Sequence, residues 1–351
     1  MVSVVIPTYN REKLLPKALN SVINQTYQNW ELIIVDDNST DNTAALVNSY
    51  SKKDKRIRYV RNDRRKGPSG ARNCGLLQCS GEYIAFLDSD DEWMKHHLTD
   101  SMRVLLNEDV DVCFALWIEE RSGNLVKFDT QEIQDKLNKA LETLKPKTKD
   151  NLIFFGEGFY EFTILESFYC YHINTMVFKK SILDSVGLLD ESLFANEDND
   201  FTYKVFHDHE ICLIMDYHFI YHQGQDNIYM FIDRSTADIE MIAENQMLID
   251  KLTFNGNLEN VMRMKRKKYV KISNKIKDKK ACLAAIDKSI AEKYLTIGYI
   301  HRNKNKPKAF YYYLKALFYQ VDKFTLLLMV KLLFPFILKN VKAVPGKLDI
   351  G

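Results

Sequence analysis

Along the first third of the chain, short apolar runs alternate with longer stretches whose apolar residues recur at helical spacing. VSVVIP (2–7) is an apolar, β-branched run closed by Pro7 and reads as a buried strand. Leu14, Leu15, Ala18, Leu19 and Val22 then mark one face of a helix within 11–25. ELIIVDD (31–37) is a second buried strand, and NSTDNTAALVNSY opens a helix with Ser39, Thr40 and Asp41 as candidate caps. IRYVRN (57–62) reads as a third strand. GPSGARNCGLLQC (67–79) starts glycine-rich and becomes helical, and EYIAFLD (82–88) is a fourth strand. Residues 95–107 are helical, and DVDVCFALW (109–117) is a fifth strand.

Strands alternating with helices predict an α/β fold, a mainly parallel sheet covered on both faces. Ligands in such sheets bind beyond the carboxyl ends of the strands. Pro7–Asn10, Asp36–Asn38 and Asp88–Asp91 all lie at such ends, so three segments converge on one edge. The stretch 119–172 is less regular, with a charged helix over 131–145 and an aromatic segment, IFFGEGFYEF. Strand, helix, loop and helix resume over 172–206. ICLIM and HFIYHQ read as two short strands, and beyond about residue 235 the pattern is helical.

A formal net charge of +2 over 351 residues gives no global field for nucleic acid. The six cysteines form no CxxC pair and read as reduced thiols rather than a disulfide framework. MVSVVIPTYN has neither a charged n-region nor a cleavage site, so it does not read as a signal peptide.

Charge is concentrated locally. FLDSDDEW (86–93) sets Asp88, Asp90, Asp91 and Glu92 together at a strand end. Two carboxylates two residues apart can hold a hard cation such as Mg²⁺ or Mn²⁺, and an acidic turn capping the next helix is the plainer alternative. Asp37 in VDDNS can accept hydrogen bonds from a base or ribose, or cap a helix. Arg72 at the start of a helix opposes the helix dipole, which makes an anionic partner such as a phosphate or an aspartate plausible, and solvated surface is the plainer alternative. Asn196-Glu197-Asp198-Asn199-Asp200 offers a general base beside an acceptor hydroxyl, or again a helix cap. His222 at a strand end is either structural or a metal ligand.

In order and spacing these segments resemble glycosyltransferase family 2. VSVVIPTYNRE, SVINQTYQNWELIIVDDNSTDNT, GARNCGL and GEYIAFLDSDDEW carry the resemblance, strongly over about 1–115 and less closely over 172–225. It implies the GT-A (Rossmann-like nucleotide-binding) fold, a mixed, mainly parallel sheet with helices on both faces, plus a helical C-terminal region. It also implies an inverting, metal-dependent transferase that moves one sugar from a nucleotide-sugar, UDP-linked by preference, to a glycan hydroxyl. The acceptor would be lipid-linked, in bacterial capsule, O-antigen or lipooligosaccharide synthesis. On this resemblance Pro7, Tyr9, Asp37, Arg72 and Asp88 would hold the donor nucleotide. Asp90, Asp88 and His222 would hold Mn²⁺ or Mg²⁺. Asp198 would be the general base with Glu197 beside it, while Asp91 and Glu92 would cap the following helix. The Gln-x-x-Arg-Trp motif of processive members is absent, which implies one sugar per encounter, and Lys95 follows Met94 where proline is usual.

Residues 1–232 would be the catalytic domain, with 1–115 for the nucleotide-sugar and 116–232 for the acceptor, and 233–351 a helical region. That region holds the basic stretch 262–280 and the apolar run FTLLLMVKLLFPFIL (324–338), too short and too interrupted to span a bilayer. Lysines and aromatics around it suit an anionic membrane surface, a homodimer contact or packing on the catalytic domain. The expected location is the cytoplasm, peripheral on the inner face of the cytoplasmic membrane. A sugar-nucleotide nucleotidyltransferase would carry a glycine-rich loop where PTYNREK stands. A dehydrogenase would carry GxGxxG after the first strand. A non-catalytic nucleotide-sugar-binding module is a further alternative, although both acidic motifs are intact.

Overall fold

The computed structural model describes residues 1–121, 123–193, 195–222 and 239–333. They belong to two compact units, within Met1–Gln223 and Gly224–Gly351. The boundary expected at 232/233 and the last residues of the apolar run (334–338) lie outside the described residues.

In the first unit the chain runs β1 (Val2–Thr8), α1 (Leu15–Ile23), β2 (Trp30–Asp36), α2 (Thr43–Lys53), β3 (Ile57–Arg61), α3 (Pro68–Gln78), β4 (Tyr83–Phe86), β5 (Glu92–Trp93) and α4 (His97–Asn107). It continues through β6 (Val112–Arg121), β7 (Asn124–Lys127), α5 (Gln131–Leu144), β8 (Lys147–Lys149), β9 (Leu152–Phe155), α6 (Phe159–Leu165), β10 (Val177–Lys179), α7 (Leu183–Val186), α8 (Glu197–Asp208) and β11 (Ile211–His222). One sheet collects them in the order β3-β2-β1-β4-β10-β6-β11-β9-β8, with β5 paired to β11 and β7 to β6. Neighbours β3, β2, β1 and β4 are parallel. β10 runs antiparallel to both β4 and β6, so β6 shares their direction, and β11 is parallel to β6. The carboxyl ends of β1, β2, β4, β6 and β11 therefore share one edge, as the alternating pattern predicts.

Packing follows the two-residue alternation of the strands. Val2, Val4 and Ile6 of β1 join Leu32 and Ile34 of β2 in a cluster with Leu15, Ala18, Leu19 and Val22 of α1. Burying each of these leucines stabilises the fold by about 1.5–3 kcal/mol. Val5 and Val35 point the other way, against α3. There Gly75 admits the close approach, because a Cβ on it would lie 2.4 Å from Val5 Cγ1 and 3.0 Å from Val35 Cγ2. All six cysteines are buried, and none is in a disulfide.

Three sequence expectations are corrected. ICLIM and HFIYHQ form one strand, β11, whose register against β6 shifts between Ile214 and Phe219. Two successive irregularities there take up three extra residues of β11, since Ile214 to Phe219 is five steps against two from Ala115 to Trp117, so the alternation breaks although the pairing continues. The irregular stretch 119–172 contains β7, β8, β9 and α6 besides the expected helix. His96 stands at the N-cap position of α4 without a side-chain capping bond, and neither Asp91 nor Glu92 occupies that position.

The second unit comprises α9 (Ile239–Glu244), α10 (Gln246–Ile272), α11 (Lys279–His301), α12 (Lys306–Tyr319) and α13 (Lys323–Leu333). Side-chain oxygens of Asn245, Asp278, Asn305 and Asp322 accept from first-turn amides of α10–α13, satisfying donors that a helix start leaves open. Part of the basic stretch is paired internally, with Arg263 on Glu259 (3.1 Å) and Lys267 on Asp287. Lys293, buried, also reaches Glu259 at 3.0 Å. The first half of the apolar run is a packing helix, since Leu328 is buried with Tyr299, Ala309 and Tyr313. None of the described helices is long and apolar enough to cross a membrane.

His301 ends α11 with Nε2 2.8 Å from Thr253 Oγ1, and its ring is stacked parallel to Tyr312. Burial, and then the charge of Lys308, push its pKa down to about 4. The unfolded chain takes up this proton near about pH 6.5. The folded chain resists it, so the stability His301 contributes is complete above about 6.5 and is lost as pH falls through about 4. The urea midpoint followed by helicity should therefore fall further between about pH 7.5 and about pH 4.5 in the native chain than in His301→Gln. Equal drops would contradict this.

Candidate active site

The loops after β1 and β2 are locked to each other. Asn10 and Asn38 both sit in the left-handed region, at φ 53 and 66, which asparagine tolerates better than most residues. Asn10 N donates to Ser39 Oγ and Thr40 N to Asn10 Oδ1; Glu12 N donates to Asp41 Oδ2 and Asn42 N to Glu12 Oε2. These exchanges close the start of α2 and fix both strand ends. Pro7 closes β1, and Tyr9 stands half-exposed with Lys66 Nζ 4.3 Å from its ring centre. Asp37 is buried. Its two carboxylate oxygens accept from Asn62 Nδ2 (2.6 Å) and Gly67 N (2.8 Å). It thus anchors the loop leading into α3, and each oxygen keeps a second lone pair for a ligand.

Arg72 is buried in α3 and forks between two segments. Nη2 reaches Asp88 Oδ1 at 2.6 Å, and Nη1 reaches Glu197 Oε1 at 2.7 Å. The guanidinium geometry allows one cation to hold two carboxylates from different elements. The sequence left open whether Arg72 faces a ligand or an acid, and here it pairs with two acids. Its Nε is buried without a hydrogen-bond partner among the described residues.

Acid nevertheless outweighs base here. Asp88, Asp90, Asp91, Glu197 and Asp198 share the region with Arg72 and with Arg11, whose Nη2 lies 3.5 Å from Asp90 Oδ2. Burial and then the charge of Asp88 raise the Asp90 carboxyl above its ordinary value, against the pull of Arg11. Burial and Asp198 raise Glu197, against Arg72. Carboxylates pushed toward protonation in this way are relieved by a bound cation, so the donor set at Asp88 and Asp90 fits a hard divalent metal.

Asp91 supports this run from below. It is buried, held well above the ordinary carboxylate range by burial and its two aspartate neighbours, and accepts from Asn174 Nδ2 (2.7 Å) and His222 N (2.8 Å). Asn174 also accepts from Asp88 N through Oδ1 and from Trp93 Nε1 through its carbonyl. Glu92 lies in β5 and faces His222 Nε2 at 3.2 Å, while His222 Nδ1 meets Glu120. The expected capping role of Asp91 and Glu92 is thus replaced by bracing of the acidic run. Both ring nitrogens of His222 face carboxylates, so ligation of a metal by this ring would displace one of them.

On the facing side, Asn196 at φ 61 turns the chain into α8, so Glu197 and Asp198 occupy its first turn, where the helix dipole favours acids. Asp198 Oδ1 accepts from Asn199 N at 2.8 Å. Its charge is felt by Tyr169 and His172, two residues of the irregular stretch. Burial lowers the His172 imidazole, and Asp88 and Asp198 partly restore it. Trp117 stacks on Phe128 at 3.5 Å and meets Tyr169 and His172 edge-on, forming an aromatic wall. Arg11, Asn174, Trp117, Tyr169 and His172 were missed in the sequence. Only the arginine directly after PTYN and the aromatic run FYCYH gave a signal there.

The model of the family Glycosyl transferase family 2 matches residues 3–172. A GalNAc(5)-diNAcBac-PP-undecaprenol beta-1,3-glucosyltransferase of Campylobacter jejuni is 39% identical over 199 residues, 56% of this chain and 56% of its own length. The UDP-Glc:alpha-D-GlcNAc-diphosphoundecaprenol beta-1,3-glucosyltransferase WfgD of Escherichia coli is 41% identical over 115 residues, 33% of this chain and 45% of its own length. The chain thus spans about half the length of these curated relatives. Among solved structures, S. aureus TarS 1–349 in complex with UDP-GlcNAc has a TM-score of 0.51 at 20% identity, covering 91% of this chain and 88% of that one. The mannosyltransferase PcManGT from Pyrobaculum calidifontis, in complex with GDP-Man and Mn²⁺, has a TM-score of 0.54 at 16% identity, covering 94% and 78%. At such identities these structures speak for the fold, which is GT-A.

Because Arg72 is buried against two carboxylates, Arg72→Met should cost about 3–5 kcal/mol in urea denaturation, by leaving both charges unpaired. Arg72→Lys should recover only part of this, since one ammonium replaces a two-pronged fork. Near-native stability of Arg72→Met would show that the fork does not hold the segments together.

Proposed function

We propose that this chain, whose residues 3–172 match the model of the family Glycosyl transferase family 2, transfers one sugar from a UDP-sugar to a hydroxyl of an undecaprenol-diphosphate-linked glycan in bacterial surface polysaccharide synthesis. The observation that carries this reading is the acid-rich strand edge, Asp88–Asp91, facing Glu197 and Asp198 across Arg72. The lipid-linked acceptor is supported by the names of the Campylobacter and Escherichia relatives, and the UDP-linked donor by that of the Escherichia one. The transferred group belongs to the hexosyl or N-acetylhexosaminyl class.

In this reading Pro7, Tyr9 and Asp37 receive the nucleotide base and ribose. Arg72 holds Asp88 in place at the donor diphosphate. Asp88 and Asp90 hold Mn²⁺ or Mg²⁺, with His222 nearby. When bound, that ion supplies Lewis-acid stabilisation of the departing diphosphate. Asp198 accepts the proton of the attacking hydroxyl in or near the transition state, a contribution of about 10²–10⁴-fold. Glu197, kept on Arg72, fixes the start of α8 and so the position of Asp198. A single displacement from the face opposite the diphosphate inverts the anomeric centre, so an α-linked donor gives a β-linkage. Tyr169 and His172, partly exposed beside the buried Trp117, offer an apolar ring and a neutral imidazole on which an acceptor sugar can lie. The catalytic domain is read as residues 1–232, with 233–351 a helical region.

A lipid-linked acceptor requires a place at the bilayer surface. Phe318, Val321, Leu326, Val330 and Leu333 stand exposed along α12, α13 and the turn between them, accompanied by Lys323 and Lys331. This apolar and cationic face suits peripheral attachment to anionic lipid on the cytoplasmic side.

Asp198→Asn should retain UDP-sugar binding and lose about 10²-fold or more of transfer. Asp90→Ala should lose Mn²⁺-dependent donor binding. The measurement is nucleotide release from UDP-glucose and UDP-N-acetylglucosamine with a lipid-diphosphate glycan acceptor, with and without Mn²⁺. Near-native transfer by Asp198→Asn would remove the base assignment, and activity unchanged by EDTA would remove the metal. Pelleting with phosphatidylglycerol vesicles should weaken in Phe318→Ser/Val330→Ser, and undiminished pelleting would dismiss this surface.

A further inference from the structure

A second set of metal-ligating side chains lies away from the acidic run, where α4 meets the bulge of β11. His96 and Asp100 stand four residues apart at the start of α4, and Asp216 and His218 two apart on β11. The helical spacing puts His96 and Asp100 on one face of α4, while Asp216 and His218 lie in the bulged part of β11, where strict alternation does not hold. One ligand atom from each of the four lies within 4.8 Å of the others. His218 Nε2 is 3.9 Å from Asp100 Oδ2, and His96 Nε2 is 4.0 Å from Asp216 Oδ2. The register shift in β11 brings Asp216 and His218 to this point.

The group has an unanswered donor set. His218 is fully buried, yet its Nε2 has no hydrogen-bond partner among the described residues, a costly state for a buried polar atom. Its other nitrogen, Nδ1, lies 3.1 Å from Nδ1 of His97. With Nε2 on a metal, Nδ1 carries the proton and donates to His97. That is the supporting contact that fixes the tautomer of a ligating histidine. Burial, and then the neighbouring His96, push the His218 pKa down to about 3, so its imidazole is neutral and available as a ligand throughout the physiological range. Competing contacts are weak: Arg103 is 3.4 Å from Asp100 Oδ1, and His96 Nε2 is 3.2 Å from the Tyr217 carbonyl.

We infer that His96, Asp100, Asp216 and His218 form a binding site for a single Zn²⁺ ion, distinct from the Asp88–Asp90 site. Two imidazoles and two carboxylates match the ligand preference of zinc, whereas Mg²⁺ favours an all-oxygen shell. A tetrahedral zinc with ligands at about 2.0–2.2 Å needs them about 3.4 Å apart. The group must therefore contract slightly, and Asp216, half exposed, and His96, a third exposed, are free enough at the surface to do so. The ion would tie α4 to β11. β11 also pairs with β5 and ends at His222, so the zinc would brace the strand that supports the acidic run from a distance.

The test uses the full chain, stripped with EDTA and freed of chelator, then titrated with ZnCl₂ against a fluorescent zinc chelator. One zinc per chain should bind tightly and raise the melting temperature. Its affinity should fall at least about tenfold in Asp216→Asn and in His218→Gln. Asp216 is exposed, so its variant folds and carries the test if His218→Gln does not. Asp90→Asn should retain the zinc, which separates the two sites. Cobalt substitution should give the intense ligand-field bands of a four-coordinate site, absent in Asp216→Asn. The inference is overturned by no saturable zinc, by native affinity in Asp216→Asn, or by a zinc lost in Asp90→Asn and kept in Asp216→Asn.

Discussion

The guanidinium of Arg72 is the contact on which the candidate site depends. A single buried cation pairs with Asp88 from the end of β4 and with Glu197 from the start of α8. These acids are 109 positions apart in the chain (197 minus 88). Without it, an acidic strand end and an acidic helix start would face each other in a poorly solvated space and repel. A lysine would offer one compact charge where two directions are needed, so the side chain at this position is constrained in shape as well as sign.

The same constraint explains the surplus of acid. One arginine cannot neutralise Asp88, Asp90, Glu197 and Asp198 together, and Arg11 lies against Asp90. The rest is borne by burial of Asp91 on Asn174 and the His222 amide, and by upward shifts of Asp90 and Glu197. On the proposed function, a site poised in this way would gain from a divalent cation on the Asp88 side and would leave a carboxylate on the Asp198 side for proton transfer. Those would be the two electrostatic tasks of the proposed inverting displacement at a sugar diphosphate.

Much of this was legible in the sequence because period and punctuation agree there. β1, β2 and β4 are short apolar runs ending in Pro7, Asp36-Asp37 and Asp88, and α1 shows a clean helical stripe. What failed to show was tertiary. The capping role expected of Asp91 and Glu92 rested on local acid preference. Asn174, more than eighty positions away, claims Asp91 instead. β11 looked like two strands because its bulge breaks the alternation, and that same bulge assembles the His–Asp cluster. His96-x₃-Asp100 and Asp216-x-His218 are visible pairs in the sequence, but nothing local says that a helix start and a strand bulge meet. The aromatic wall, likewise, draws Trp117 from a strand and His172 from the far end of the stretch after it that reads as irregular.

A double-mutant cycle between Arg72 and Glu197 tests the central claim most directly. Arg72→Met, Glu197→Gln and the double variant are compared with the native chain by urea denaturation. If the fork holds strand end and helix start together, the coupling energy is about 2 kcal/mol or more, with the double variant less damaged than the sum of the singles. Additivity within about 0.5 kcal/mol would contradict it, and would mean that Arg72 and Glu197 are buried side by side without holding each other in place.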